Sequence, residues 1–214
     1  MAYNGQAEQD KFVLNVLKQK RNGFFLEIGS NHPININNTY KLESEYDWKG
    51  IMVEYDSSHL PLYKEHRPNS IHIIQDATKV DYKTVFETNN VPHTIDYLQI
   101  DLEVSNGSTI DTLEKLHTEV MDTYTFATVT FEHDFYASNF KNTRIRSREI
   151  FDSRGYVRVF DDINNLSYPY EDWYVHPDLV DINYIIDLQY RNQKHYKSCL
   201  VANILSLNWQ DIEY

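Results

Sequence analysis

One stretch of the sequence decides the fold, and it reads Phe24-Phe25-Leu26-Glu27-Ile28-Gly29-Ser30-Asn31. A short, largely apolar run that ends at a glycine is typical of a buried strand followed by a sharp turn. Because glycine has no Cβ, the backbone can turn tightly here and come close to a ligand. The stretch therefore predicts a strand with a binding turn at its carboxyl end.

Similar apolar runs recur along the chain, with helix-length polar segments between them. This pattern is typical of βαβ units and of a mostly parallel sheet, so the sequence predicts an α/β fold. The predicted strands are residues 24–28, 50–54, 70–75, 95–101, 125–132 and 156–160. The predicted helices are residues 6–20, 39–46, 57–66, 82–88, 107–116 and 144–153.

The 214 residues contain no linker rich in Pro, Gly or Ser, and we expect a single domain over 1–214. Its N-terminal helix falls within 1–22. The C-terminal extension, 179–214, is apolar in parts but lacks clear helix caps. It is compatible with a last strand, a covering helix or a contact in a homo-oligomer.

Charge and composition exclude several classes of partner. With 20 basic and 32 acidic side chains the net charge is −12, which repels a nucleic acid backbone. No run approaches the ~18 apolar residues of a membrane span. The single cysteine, Cys199, cannot form an internal disulfide, and the first residues do not resemble a signal peptide. We expect a soluble, cytoplasmic protein without a nucleic acid or membrane partner.

Acidic side chains follow five of the predicted strands. They are Glu27, Glu54 with Asp56, Asp76, Asp101 with Glu103, and Glu132 with Asp134. In an open parallel sheet, ligands bind outside the carboxyl ends of the strands. Two interpretations stay open: the acids cap helices and solvate loops, or they face one cleft that binds a polyhydroxylated or cationic ligand.

The turn after the first strand distinguishes between nucleotides. A dinucleotide site requires G-x-G-x-x-G, whereas this chain has Gly29-Ser30-Asn31-His32-Pro33-Ile34. Without the second and third glycines, a NAD-type phosphate cradle is poorly made. A nucleoside without phosphate fits the turn better, and S-adenosylmethionine is such a ligand.

Six blocks of the chain, in order and spacing, resemble the FkbM-type methyltransferases. The blocks are residues 24–31, 38–43, 48–54, 95–103, 131–133 and, more loosely, 171–175, which together span roughly residues 20–176. The resemblance implies a Rossmann-like class I methyltransferase fold, with a mostly parallel sheet and helices on both faces. It also implies S-adenosylmethionine-dependent O-methylation of a sugar, a glycan or another small hydroxylated molecule.

The resemblance also implies a role for individual residues. Around the methyl donor it assigns Glu27, Gly29 and Ser30 to the amino acid end, Asn38 and Thr39 beside it, Glu54 with Tyr55 to the ribose, Asp76 and Ala77 to the adenine, and Asp101 to the sulfonium. One position departs from the family pattern. Val104 stands where the family commonly has glycine, so the following loop, and with it the choice of acceptor, is expected to differ.

Methyl transfer to a hydroxyl needs help in removing the proton. His133 is the first candidate for the base, since its usual pKa lies near working pH, with Asp101 and Glu132 as the other catalytic residues. The alternative is that His133 is a hydrogen-bonded structural residue. A second version adds a divalent cation, Mg²⁺ or Mn²⁺, on Asp101, Glu132 and Asp134, because same-parity acids project to one side.

The acceptor is less determined than the donor. Seventeen tyrosines and many acids suit a neutral sugar, and the candidate contacts are Tyr136, Arg144, Arg146 and residues 168–173. Two other functions stay open. One is a NAD-dependent sugar oxidoreductase, which the missing glycines disfavour, and the other is a catalytically inactive interaction module of the same fold.

Overall fold

A seven-stranded sheet forms the centre of the computed structural model, which describes residues 3–136, 140–165 and 168–195. The strands are β1 (Phe24–Ile28), β2 (Lys49–Glu54), β3 (Ile71–Ile74), β4 (Thr94–Ile100), β5 (Thr125–Glu132), β6 (Val157–Asn165) and β7 (Tyr168–Val175). Their order in the sheet is β3-β2-β1-β4-β5-β7-β6. Six strands share one direction, and β7 alone runs opposite to them, between β5 and β6. The predicted mostly parallel α/β sheet is therefore confirmed.

Helices cover both faces of the sheet, as expected. They are α1 (Gln9–Val16), α2 (Tyr40–Tyr46), α3 (Leu60–His66), α4 (Tyr82–Thr88), α5 (Ser108–Glu119), α6 (Lys141–Ser153) and α7 (Ile182–His195). Side chains of α4, α5 and α6 pack in one apolar cluster, and those of α1, α2, α3 and α7 pack in a second. In β1, Leu26 and Ile28 face the first cluster and Phe25 faces the second. Burial on both faces explains the nearly continuous apolar runs of the parallel strands.

The register of the parallel strands brings their carboxyl ends to one edge. Ile28, the last residue of β1, pairs with Val53 of β2 and with Ile100 of β4. Ile100 in turn pairs with Phe131 of β5. The turns that follow these four strands are therefore neighbours. The interpretation that the acids in these turns face one cleft depends on this arrangement.

Strand β7 is the element that the sequence did not predict. Its acids Glu171 and Asp172 are both buried, although a buried strand normally carries apolar residues. Each is compensated by partners from elsewhere: Glu171 by Gln9 and Trp173, and Asp172 by Arg148. These partners lie mostly far away in the chain, so no local pattern reveals the strand.

The C-terminal extension begins with a helix. In α7, Ile185 and Leu188 are buried in the second apolar cluster, and Gln189 Nε2 donates to the Arg158 carbonyl of β6 at 2.9 Å. The remainder of the extension, 196–214, lies outside the described residues. Within the part of the chain that is described, none of the helices combines the length and the apolar character that crossing a bilayer demands.

Candidate functional site

A cavity of about 720 Å³ opens at the carboxyl edge of the sheet. Its walls are the turns after β1, β2, β4 and β5, the segment 35–38 and Gln6. Of the predicted site residues, those that line it are Glu27, Gly29, Ser30, Asn38, Glu54, Tyr55, Ala77, Asp101 and Glu132, together with Glu103 and Asp134. The structure thus brings most of the strand-end acids into one cleft. Thr39, Asp76 and His133 are not among the lining residues.

The turn after β1 fits closely against the end of β4. Gly29 has φ of +84°, and a Cβ built on it would lie 1.8 Å from the carbonyl oxygen of Asp101. The Gly29 N–H donates to the carbonyl of Val53 at 2.9 Å, and Asp101 N–H donates to that of Ile28 at 3.0 Å. Only glycine combines this conformation with this approach.

Glu54, at the end of β2, is held by backbone amides. Its two carboxylate oxygens accept hydrogen bonds from the N–H groups of Asn31 and Asp56, both at 2.8 Å. These bonds fix the orientation of the carboxylate at the cavity wall. Lone pairs remain on both oxygens, so Glu54 can still accept hydrogen bonds from a ligand.

Two residues predicted to bind the donor have structural contacts instead. Asp76 Oδ1 accepts hydrogen bonds from Thr78 N–H at 2.9 Å and from its hydroxyl at 2.7 Å, which lower the pKa of Asp76 and cap a 3-10 turn. Thr39 is buried, and its hydroxyl accepts a hydrogen bond from Arg67 at 2.6 Å. The sequence neighbours of these two residues, Ala77 and Asn38, do line the cavity.

Arg67, which the sequence analysis did not single out, holds residues 37–43 in place beside the cavity. It is fully buried at the end of α3. Its guanidinium donates to Glu43 and Asn37, both at 2.9 Å, as well as to Thr39, and lies 3.9 Å from Glu27. Burial raises the pKa of Glu27, and the charge of Arg67 opposes that rise. Because these partners are 24–40 positions away, no motif could reveal the cluster.

The acids after β4 and β5 differ in protonation. Burial raises the pKa of Glu132 to about 12, and a hydrogen bond with Asp101 and the charges of Asp101 and Asp134 add to the rise. Glu132 therefore keeps its proton at neutral pH, beside the Asp101 carboxylate. Burial and the charge of Asp101 also raise the pKa of Asp134. Among the described residues that line the cavity there is no Lys or Arg to balance these charges.

His133 does not reach the cavity, which corrects its expected role as the base. It is fully buried; its Nδ1 accepts a hydrogen bond from Phe135 N–H at 3.1 Å, and its Nε2 lies 3.4 Å from Asp172. Successive residues of an extended chain point to opposite sides, so Glu132, the last residue of β5, faces the cavity while His133 faces away. Asp134, which also lines the cavity, is no longer extended. Asp101 and Glu132 are the two predicted catalytic residues that line the cleft.

The predicted cation site on Asp101, Glu132 and Asp134 is not supported. Within the described parts of the chain, only His133, Asp162 and Asp172 bring three potential ligand atoms within 4.8 Å of one another. Two guanidiniums already neutralise that group: Arg148 donates to Asp172 at 2.6 and 2.8 Å, and Arg144 donates to Asp162 at 2.7 Å. Burial opposes ionisation of Asp172, but Arg148 and His133 outweigh it and hold its pKa well below the usual range.

The residues predicted to contact the acceptor fall into two groups. Arg144 is paired with Asp162 and lies over the Phe135 ring at 4.3 Å, and Arg146 is paired with Glu114, so neither points into the cleft. Tyr136 does not line the cavity either, but it lies two residues after Asp134, which does. The charge of Asp134 is the main cause that raises the pKa of Tyr136, and its ring packs edge-to-face on Tyr168 with centroids 5.6 Å apart.

A buried acid lies directly behind the cleft. Glu171 of β7 pairs in register with Glu132 and has no contact with solvent beyond 2 % of its surface. Its Oε2 accepts hydrogen bonds from Gln9 at 3.0 Å and from the Trp173 indole at 2.8 Å, which ties α1 to the sheet. Burial raises the pKa of Glu171 to about 8.

Glu171 should make the stability of the protein fall as pH rises. Between the unfolded pKa of ~4.3 and the folded pKa of about 8, the folded protein holds a proton that the unfolded chain has lost. In Glu171→Gln, one amide oxygen can accept both existing hydrogen bonds and nothing titrates. We expect urea denaturation from pH 5 to 7 to show wild type losing about 1.4 kcal/mol per pH unit relative to the variant. Parallel stability curves would contradict this assignment.

No known family model matches the chain, and no curated protein matches its sequence. Solved structures do share its fold. An amino pentose methyltransferase from Micromonospora echinaspora superposes with a TM-score of 0.55 at 8 % identity, covering 82 % of this chain and 92 % of that one. A protein from Clostridium thermocellum assigned as an rRNA-methylase gives 0.52 at 10 % identity, covering 82 % and 99 %. These likenesses concern the fold alone, and on that ground the chain has the Rossmann-like fold of the class I methyltransferases.

Proposed function

We propose that the protein is an S-adenosylmethionine-dependent O-methyltransferase that acts on a hydroxyl of a sugar, a glycan or another small hydroxylated molecule. One observation carries the proposal. The Gly29 turn approaches the backbone of Asp101 within one cavity, and Glu54, 25 residues after that glycine, stands on the same wall. This combination provides a close-approach turn, an acceptor for ribose hydroxyls and a carboxylate near the reacting centre.

The residues present fit the proposed donor. Because Gly29 lacks a Cβ, the turn after β1 can pack against the backbone of Asp101, and both residues line the cavity. Asn38 Oδ1 is buried, belongs to a residue that lines the cavity, and has no hydrogen-bond partner in the described structure. Such an oxygen requires a hydrogen-bond donor, which the ammonium and hydroxyl groups of this ligand offer. The cavity volume of about 720 Å³ lies within the ~300–1,000 Å³ range of ligand sites.

When bound, S-adenosylmethionine supplies an electrophilic methyl group. The chain's own task is to align the acceptor hydroxyl with that group and to take its proton. Asp101, which is exposed in the cleft, is placed to accept the proton. Glu132 keeps its own proton and hydrogen-bonds to Asp101, so it orients that carboxylate without adding a second negative charge.

A small-molecule acceptor agrees with the charge of the cleft. A row of carboxylates repels a phosphate backbone, which disfavours nucleic acid even though one protein of this fold is assigned as an rRNA-methylase. The other neighbour, an amino pentose methyltransferase, gives a precedent in this fold for a sugar acceptor. Tyr55, an exposed aromatic residue that lines the cavity, suits a sugar face.

Isothermal titration with S-adenosylhomocysteine tests the donor without requiring the acceptor. We expect saturable 1:1 binding and thermal stabilisation by mass action. Stabilisation by NAD and none by S-adenosylhomocysteine would instead favour the oxidoreductase alternative. Binding of neither would favour the interaction module.

Glu54→Gln should weaken the binding of S-adenosylhomocysteine about 10- to 100-fold. The change removes the charge and one of the two acceptor oxygens, and a hydrogen bond to a charged group contributes ~1.5–3 kcal/mol. Glu65→Gln is the matched control, because the Glu65 side chain is 70 % exposed and does not line the cavity. Equal affinities of the two variants would show that Glu54 does not contact the donor.

A further inference from the structure

Given the proposed function, we propose further that the acceptor carries a protonated amine, bound on the β5 side of the cleft by Glu103 and Asp134, with Tyr136 nearby. The acceptor class is then a hydroxylated ammonium compound, such as an amino sugar, rather than a neutral sugar. The reaction itself is unchanged: the methyl group goes to a hydroxyl oxygen.

The first support is that two acids of the cleft have no assigned role in binding the donor or in the reaction. Donor and reacting centre account for Glu27, Glu54 and Asp101, and Glu132 is protonated. Glu103 and Asp134 remain. Hydrogen bonds from the hydroxyl and N–H of Ser105 lower the pKa of Glu103, so this carboxyl is ionised. Asp134 accepts no side-chain hydrogen bond from the described residues.

Asp134 is also turned towards the cavity by its backbone. It has φ of +47°, a left-handed conformation that is uncommon outside glycine and is best tolerated by Asn and Asp. The residue follows directly on the end of β5, where Asp134 N–H donates to the Tyr170 carbonyl at 3.0 Å. The Asp134 side chain lines the cavity, and among the described residues no Lys, Arg or His side chain forms an ion pair with it.

A second, independent observation is a buried polar group without a partner. Gln99 of β4 is only 2 % exposed, and its side-chain oxygen finds no hydrogen-bond donor within the described structure. In register it lies between Glu27 of β1 and Thr130 of β5, on the floor of the same cavity. Leaving such an oxygen unpaired costs ~1–3 kcal/mol, so it points to a ligand that donates a hydrogen bond.

Two exposed aromatic residues, Tyr136 and Tyr168, lie near these acids. Tyr136 and Tyr168 are 51 % and 61 % exposed and stand edge-to-face, and the Tyr136 hydroxyl senses the charges of Asp134, Glu132 and Glu103. Carboxylates beside an aromatic face match an ammonium group, which is attracted to both. A neutral acceptor would displace water from the ionised Glu103 without supplying an opposite charge, which is unfavourable. An ammonium group would also favour ionisation of Asp134, whose pKa burial and the charge of Asp101 raise.

The test compares two sugars that differ at one ring position, where one carries a charge and the other does not. Glucosamine carries an ammonium, and N-acetylglucosamine carries a neutral amide at the same ring position. Each is titrated at low salt into the full chain saturated with S-adenosylhomocysteine, with binding followed by ligand-observed NMR. We expect glucosamine to bind at least 10-fold more tightly. Methyl transfer from labelled donor should show the same preference.

Asp134→Asn should bring the ratio of the two affinities to within threefold, since asparagine tolerates the same backbone conformation but carries no charge. Asp152→Asn, an exposed position on α6, is the matched control and should keep the full preference. Glu103→Gln, at an exposed side chain, provides a second variant should Asp134→Asn fold poorly.

Equal affinities for the two probes, undetectable binding of both, or a preference that survives in Asp134→Asn and Glu103→Gln would each overturn the proposal. Affinity of S-adenosylhomocysteine for wild type is measured separately and decides the proposed function. If that ligand does not bind, the same two probes are compared on the free protein. The charge preference of the cleft is thereby tested whichever way the donor experiment ends.

Discussion

Gly29→Ala is expected to abolish donor binding and to destabilise the protein by more than ~3 kcal/mol. A left-handed conformation alone costs a residue with a Cβ ~1–2 kcal/mol. Here the new Cβ would also lie 1.8 Å from the Asp101 carbonyl oxygen, so the backbone of β1 or β4 must move. Urea denaturation gives the loss of stability, and titration with S-adenosylhomocysteine should show at least a 100-fold loss of affinity.

Gly155→Ala provides the matched control. Gly155 has φ of +80°, almost the same as Gly29, but a Cβ built on it meets no atom within 4 Å. Its substitution should cost only the ~1–2 kcal/mol of backbone strain and leave the affinity for S-adenosylhomocysteine unchanged. If the two variants behave alike, the close approach of Gly29 to Asp101 has no part in forming the site.

Arg67→Met is expected to cost ~3–5 kcal/mol of folding free energy, as is typical when one partner of a buried ion pair is removed. Methionine fills much of the space, but it leaves the carboxylate of Glu43 and the hydroxyl of Thr39 without their donor. Asn37, whose side chain lines the cavity, is also released. The affinity for the donor should therefore be lower even at temperatures where the variant is still folded. Titration with S-adenosylhomocysteine at 10 °C can measure this.

Arg146→Met distinguishes this effect from the loss of any ion pair. Arg146 binds Glu114 and Glu149 on the surface, with its side chain 44 % exposed. Exposed pairs contribute ~0–1 kcal/mol, so this variant should be nearly as stable as wild type. A loss in Arg67→Met no larger than that in Arg146→Met would contradict the structural role of Arg67.

The sheet and its acidic edge were predictable because both depend on local sequence. A strand buried on both faces is largely apolar, as β1 is apart from Glu27, and parallel strands must end at a common edge. Glu54, Asp101 and Glu132 could therefore be placed together before their distances were known. Strand β7 escaped prediction because the partners of Glu171 and Asp172 come from α1 and α6.

The errors at the site have equally physical causes. The alternation that directs Glu132 into the cavity also excludes His133, so the position of His133 could have been predicted from the sequence. Side-chain parity fixes the side of the sheet but no distance, which is why it could not decide whether three acids converge on a cation. Arg67 was beyond sequence reasoning, because its importance arises only when residues 33–43 fold over it.

The bond between Gln9 and Glu171 has a practical consequence for anyone who engineers this molecule. Gln6 forms part of the cavity wall, and Gln9 anchors the beginning of the chain to Glu171, a buried acid of the sheet. Removing the beginning of the chain to help crystallisation would open the wall of the cavity. It would also leave the buried Glu171 carboxyl group without its hydrogen bond from Gln9.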